Sequence, residues 1–305
     1  MKIVFMGTPS YATTILKALV EAPFVDVVLL VTQEDKPVGR KLLLTPPHTK
    51  AWLRDEGLDI EVYQPRTLKN DEAREKIASY NPDFIIVAAY GKLLPKAILD
   101  IAPCINLHAS LLPKYRGASP IQSTLLEGER YGGVTSMLME EGLDTGAMLG
   151  FAYQRIEKDD TAGVLFETLA NTAAALSLLS LQNFAAILPI PQTDANATHC
   201  KKIKKEEGAV DFGQSASWIM RRFQGLSPWP GIFLSSGLKL LDIEYMETKT
   251  AHEVGRIVRI ENEGVIVTCK EGELFIKKVQ PVSKNAMSVL EYIRGKRIGI
   301  GDTLA

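Results

Sequence analysis

The sequence predicts an α/β fold: a Rossmann-like parallel-sheet domain over residues 1–188, a linker at 189–206 and a small OB-like β-barrel domain at 207–305. Three observations carry this expectation. Apolar, β-rich runs alternate with helix-like segments through the first half. Composition then shifts at 189–206 (PIPQTDANATHCKKIKKE) to proline, small polar residues and lysine, with no sustained apolar period. Beyond it, short β-type runs follow one another between Glu-Gly and Asn-Glu-Gly turns.

Lys2 to Met6 reads as a short buried strand, and Gly7-Thr8-Pro9 as the turn that closes it. Ser10 is the expected N-cap of a helix over Tyr11 to Glu21, whose Ile15, Leu16 and Leu19 share one face. Val25 to Thr32 is a continuous apolar run, the pattern of a strand covered on both faces. A short strand at Leu58 to Tyr63, a helix at Asp71 to Tyr80 and a buried strand at Phe84 to Ala88 complete a β-α-β-α-β order. Val134 to Met139 reads as a later strand and Ala162 to Ala186 as a long apolar helix. After the linker, Ser215 to Phe223 is expected to be helical, and 255–260, 264–268 and 274–276 to be strands.

Hydrophobic residues at 46% and charged residues at 23% fit a globular protein. No run approaches the roughly 18 apolar residues a membrane helix needs, and the opening MKIVFMGTPS enters a Gly-Thr-Pro turn too early for a signal-peptide core. The three cysteines, Cys104, Cys200 and Cys269, match neither a disulfide framework nor a metal clip. A cytoplasmic protein with no membrane association and no metal is expected, and a monomer. Charge is uneven: residues 1–200 carry 18 Lys+Arg against 23 Asp+Glu, and residues 201–305 carry 17 against 13. A basic C-terminal region suits a phosphate-backbone partner, and equally a solvated surface.

Ligands of an open parallel sheet bind at the C-terminal ends of its strands. Three segments fall there: Met6 to Pro9, Ala88 to Gly91, and Cys104 to Ser110 leading into LLPKYRG at 111–117. Asn106 and His108 are two apart, so on an extended chain they point the same way. An amide donor beside an imidazole is what acyl transfer to an amine needs: one group for the developing oxyanion, the other for the amine's proton. The same spacing also suits a core histidine and a turn asparagine. Asp144, between Gly142 and Gly146, is placed to orient an imidazole, or to make an Asx turn. With no GxSxG elbow and no cysteine close to a histidine, direct transfer is simpler than a covalent enzyme intermediate. The GTPSYA turn lacks the later glycines of GxGxxG, which argues against a dinucleotide-dependent dehydrogenase.

The combination of Asn106-Leu107-His108, SLLPKYRG at 110–117 and GLDTGAM at 142–148 resembles the 10-formyltetrahydrofolate-dependent formyltransferases. MKIVFMGTP at the start, GASPIQ at 117–122, KKIKKEEGAVDF at 201–212 and SPWPG at 227–231 are similar to the branch of that family acting on methionyl-tRNA. The resemblance implies a catalytic domain in 1–188 with Asn106, His108 and Asp144 as the catalytic residues, and a tRNA-binding domain in 207–305. It implies 10-formyltetrahydrofolate as donor, lying near Ala88, Ala89, Tyr90 and Gly91, with Ser110, Leu111, Leu112 and Pro113 along its pterin side. The implied acceptor is the amino group of initiator methionyl-tRNA, with a nucleotide-sugar amine as the alternative. The resemblance also implies that Glu34 to Pro47, which shows no sustained strand or helix pattern, inserts toward the tRNA acceptor stem. Lys36, Arg40 and Lys41 of that segment are then candidate phosphate contacts, as are Lys204 and Lys205 of the linker. Arg221, Arg222, Lys277 and Lys278 extend the candidate track.

Overall fold

The computed structural model describes residues 1–39, 42–248 and 253–304. The chain divides into two compact units, one formed by Met1–Ile121, Arg130–Ile156 and Leu165–Lys201, the other by Gln122–Glu129, Glu157–Val164 and the chain from Lys202 onward. The segment that composition marks as a linker therefore splits, its residues up to Lys201 grouping with the first unit.

In chain order the elements run β1 (Lys2–Gly7), α1 (Ser10–Glu21), β2 (Asp26–Val31), β3 (Lys36–Val38), β4 (Leu43–Thr45), α2 (His48–Asp55), β5 (Glu61–Tyr63), α3 (Asp71–Ala78) and β6 (Phe84–Ala88). They continue with α4 (Lys96–Leu99), β7 (Cys104–His108), β8 (Arg116–Gly117), α5 (Pro120–Leu126), β9 (Tyr131–Leu138), β10 (Met148–Arg155), α6 (Ala162–Asn183) and β11 (His199–Cys200). The sheet order is β10-β9-β7-β6-β1-β2-β5. Neighbours from β5 to β7 pair in parallel, as the alternating sequence predicts, while β9 and β10 add an antiparallel edge. Val4, Met6, Ile85 and Val87 pack one face against Ala73 and Ile77 of α3 and Ile98 of α4. Ile3 and Phe5 alternate to the other face, and α1 packs against β1, β2 and β6.

Four expectations change. Ser10 is not the cap of α1: the helix begins at Ser10 itself, and Pro9 holds the boundary without any side-chain cap. A proline fixes φ and has no N–H to leave unsatisfied, so it suits that position. The Glu34–Pro47 segment does contain strands, because β3 and β4 pair antiparallel from Lys36↔Thr45 to Val38↔Leu43. Both strands are solvent-exposed, so no burial alternation signals them. The edge strand β10 also escaped the sequence reading; its inward and outward residues alternate only weakly in apolarity. Finally, Ala162–Ala186 is long and apolar enough to cross a membrane by length and composition, against the expectation that no run is. Small polar residues such as Thr168, Asn171 and Ser177 break the apolar run yet leave its mean hydropathy high. Half of the apolar window is buried inside protein, where Ser180 of α6 donates to Ser136 of β9 at 2.8 Å.

In the second unit, α7 (Ala216–Leu226) is capped by Ser215, whose hydroxyl accepts from Trp218 N. The strands β12 (Ile232–Phe233), β13 (Lys239–Met246), β14 (Ile257–Ile260), β15 (Val265–Thr268), β16 (Glu273–Gln280) and β17 (Met287–Ser288) precede α8 (Val289–Lys296). They form one antiparallel sheet in the order β12-β13-β16-β15-β14, with β17 on β16. Its core joins Ile243, Val265, Val267, Leu274 and Ile276 to Ile219 of α7 and Ile293 of α8.

Candidate active site

The parallel register sets Gly7 beside Ala88 and Val87 beside Asn106, so the C-terminal ends of β1, β6 and β7 open side by side. Asn106 and His108 lie two residues apart on β7 and are buried, at 9% and 6% exposure. Asp144 arrives from the turn after β9 with a left-handed backbone, φ 54°, sparsely populated for a non-glycine residue. Gly146 allows this: a Cβ there would stand 1.8 Å from the carbonyl oxygen of Leu138.

The structure brings the three residues together. Asp144 Oδ2 accepts a hydrogen bond from Gly117 N at 2.8 Å and lies 3.8 Å from His108 Nδ1. Asn106 Nδ2 donates to Asp144 Oδ1 over 3.5 Å, a long contact that leaves most of the amide's donor strength uncommitted. His108 Nε2 is 2.9 Å from the carbonyl oxygen of Tyr115. A carbonyl only accepts, so Nε2 carries a proton and donates. The other ring nitrogen, Nδ1, faces Asp144.

The 110–117 loop is tied down from two sides. Thr135, on β9 opposite His108, donates to Ser110 O at 2.7 Å and accepts from Leu112 N at 3.0 Å. Ser110 Oγ donates to Lys114 O at 2.6 Å. From the other side, Thr198 Oγ1 accepts from Tyr115 N at 2.8 Å, Cys200 Sγ donates to Tyr115 O at 3.3 Å, and β11 pairs in parallel with β8. Gln192 reaches in as well: its Nε2 donates to the carbonyls of both Asp144 and Gly146 at 2.8 Å. Sequence reasoning missed Gln192, Thr198 and Cys200. They stand in a stretch without period, and Gln192 is 48 residues from its partner Asp144.

Not every crevice residue expected from the sequence presents its side chain. Ala88 is fully buried, and the Tyr90 ring belongs to the core, where burial pushes its phenol up to about 12. Gln33 Nε2 and Thr8 Oγ1 donate to the Tyr90 carbonyl at 2.8 and 3.4 Å. Ala89 and Gly91 are exposed with positive φ, 45° and 80°. Leu111 and Pro113 are half-buried, and Leu112 is buried. Among the described residues no group of three His, Cys, Asp or Glu side chains stands together as a metal site requires.

Of the cationic candidates, Lys36 opens the exposed hairpin and donates to Gln33 Oε1 at 2.6 Å. Arg40 and Lys41 lie outside the described residues. Lys204 and Lys205 are exposed in the second unit, with Glu206 and Glu207 following in the same 3-10 turn. Lys277 is paired with Glu244 at 2.5 Å, and Arg222 stacks over Trp218 at 4.6 Å, so both cations are already engaged.

Residues 1–179 match the family described as Formyl transferase, and residues 202–297 match Formyl transferase, C-terminal domain. A methionyl-tRNA formyltransferase of a Nitratiruptor species is 53% identical over 303 residues, covering 99% of each chain. Among solved structures, an N-formyltransferase from Helicobacter canadensis, in complex with folinic acid and dTDP-3-aminofucose, superposes with a TM-score of 0.68 at 15% identity, covering 92% of this chain and 100% of that one. HypX from Aquifex aeolicus, in complex with tetrahydrofolic acid, superposes with a TM-score of 0.63 at 16% identity over 98% of this chain, which spans only 48% of HypX. At such identities these structures share the fold alone. The two matched domains and the near-full-length identity together establish that this chain belongs to the formyl transferase family, in its methionyl-tRNA formyltransferase branch.

Proposed function

We propose that this protein transfers a formyl group from 10-formyltetrahydrofolate to the α-amino group of methionine on initiator tRNA, and that Asn106, His108 and Asp144 perform the transfer. The observation that carries the site assignment is their convergence: an amide, an imidazole and a carboxylate within 3.5–3.8 Å contacts at the end of β7. HypX and the Helicobacter canadensis enzyme, solved with tetrahydrofolic and folinic acid respectively, support a folate donor. The apolar 111–113 loop after β7 and the exposed Ala89 and Gly91 after the neighbouring β6 suit a flat, partly apolar ligand.

When bound, the folate supplies the electrophilic formyl carbon at its N10. Asn106 Nδ2, weakly engaged, donates to the formyl oxygen as negative charge develops there. One such donor contributes about 3 kcal/mol in comparable chemistry. The neutral amine forms the new N–C bond while the bond from carbon to N10 breaks. His108 Nδ1 and Asp144 Oδ2 face each other, so the proton leaving the amine is held between ring and carboxylate and returned to the departing N10. Tyr115 O keeps the ring in the orientation this needs. Lys36 of the exposed strand β3 and the Lys204-Lys205 pair supply phosphate contacts, together with Arg40 and Lys41 of the same 34–47 sequence segment.

The test is incubation with 10-formyltetrahydrofolate and, in parallel, initiator methionyl-tRNA or a nucleotide-sugar amine. Formylmethionyl-tRNA as the product, with no formylated sugar, is expected; a formylated sugar amine in the absence of RNA overturns the reading.

A further inference from the structure

We propose that Gln192 and Arg116 form a positioning relay that sets Asp144 in its reacting geometry. The inference deepens the proposed function, since it rests on Asp144 being the carboxylate of the reacting site.

Asp144 occupies a left-handed backbone conformation that a residue with a Cβ adopts only when its surroundings impose it. Gln192 imposes it with a single group. Its Nε2 offers two hydrogens, and they go to the carbonyl oxygens on either side of the turn, Asp144 O and Gly146 O, both at 2.8 Å. The carboxamide is itself oriented, because its Oε1 accepts from Arg116 Nε at 3.0 Å. That bond removes the ambiguity between the two ends of an amide: the oxygen must face the guanidinium and the nitrogen the two carbonyls. Arg116 is 3% exposed, and Asp194 Oδ1 lies 3.0 Å from its Nη1. Its Nη2 is buried with no partner among the described residues, a costly arrangement for a residue whose only task is solubility.

Arg116 also adjoins Gly117, whose N–H donates to Asp144 Oδ2 at 2.8 Å. One dipeptide therefore fixes the carboxylate directly through a main-chain donor and fixes the main chain behind it through Gln192. The Asp144 carboxylate meets His108 and Asn106 over long contacts, 3.8 and 3.5 Å. Contacts of that length do not hold a side chain in place, so its position depends on the Gly117 donor and on the turn that Gln192 clamps. A displacement of about 1 Å at such a point costs up to roughly 100-fold in rate.

The test is a double-mutant cycle on the full chain, read as single-turnover formyl transfer to methionyl-tRNA with both substrates saturating. Gln192→Met keeps the length and loses every hydrogen bond. It is expected to slow transfer roughly 10- to 100-fold, with both KM values within about twofold, and to lower the melting temperature, since two carbonyls and the buried Arg116 Nε lose their partner. In an Asp144→Asn background the same change should add almost nothing, because the carboxylate it positions is already gone. Gln192→Glu is the second variant: it keeps the acceptor for Arg116 but turns an oxygen toward two carbonyls, and should be at least as slow. Parent-like rates in both Gln192 variants, or losses that simply multiply with that of Asp144→Asn, overturn the relay. If Asp144→Asn itself transfers at the parent rate, the reading of the site fails, and the relay with it; if only the Gln192 variants are silent, the site stands and the relay alone falls.

Discussion

Replacing Thr135 with valine deletes one hydroxyl and leaves the side chain's shape intact. Thr135 is fully buried, and its Oγ1 serves two partners, donating to Ser110 O at 2.7 Å and accepting from Leu112 N at 3.0 Å. Valine leaves a carbonyl and an N–H without that partner in a buried place, at about 1–3 kcal/mol each. The added methyl returns roughly 0.8 kcal/mol through burial. The net loss is about 1–5 kcal/mol, which for a unit of this size lowers the melting temperature by roughly 2–20 °C. Thr135→Ser keeps the hydroxyl and loses only a methyl, so it should cost about 1 kcal/mol. The same hydroxyl shapes the 110–113 loop, so KM for the folate donor should rise in the valine variant more than kcat falls. Thermal denaturation followed by circular dichroism, with steady-state kinetics at varied folate, makes the comparison. A valine variant as stable as the serine variant would refute the reasoning, since it would mean that the two backbone groups do not depend on Thr135.

Hydrogen bonds from Gln64 and then Lys50 hold the Asp35 carboxyl below the usual carboxylate range. Its folded value is thus depressed, and the stability it contributes is complete above the unfolded value near about 4 and lost as pH falls through the folded one. Urea midpoints at neutral pH and at pH about 3 should therefore differ less in Asp35→Asn than in the parent; an equal or larger difference would count against the cluster. Burial pushes the Cys104 and Cys269 thiols up to about 12, and Cys200 is buried as well. A disulfide reagent at neutral pH should leave all three unmodified in the native protein and modify them in guanidinium, and rapid native labelling of any one would contradict the packing described. Gly146→Ala puts a methyl 1.8 Å from Leu138 O, which should cost roughly 1–3 kcal/mol. Because that turn carries Asp144, turnover should fall more than stability does, and an unaffected enzyme would show that the turn relaxes freely.

The parallel half of the fold was legible because buried central strands are written as unbroken apolar runs: Val25–Thr32 and Phe84–Ala88 became β2 and β6 almost as read. Edges were not: the exposed strands β3 and β4 have no buried face to impose a pattern, and the two faces of β10 differ in burial but little in apolarity. The three residues of the candidate site were singled out before the fold, Asn106 and His108 by their spacing on a strand and Asp144 by its glycine-flanked turn, but those patterns left structural alternatives open and the family resemblance supplied their roles. What holds them was hidden. Gln192, Thr198 and Cys200 lie in a stretch whose composition signals a linker, and contacts across 48 to 85 residues leave no local mark. Tyr90 shows the converse limit: adjacency to a strand end placed it in the crevice, whereas its ring turns into the core.

The most direct measurement is the single-turnover rate of formyl transfer from 10-formyltetrahydrofolate to initiator methionyl-tRNA, for the parent and for Asn106→Ala, His108→Ala and Asp144→Ala. Each variant should retain its fold and its affinity for tRNA while losing at least about 100-fold in rate. A variant that binds tRNA normally and transfers within about threefold of the parent would contradict the assignment of that residue to the reacting site.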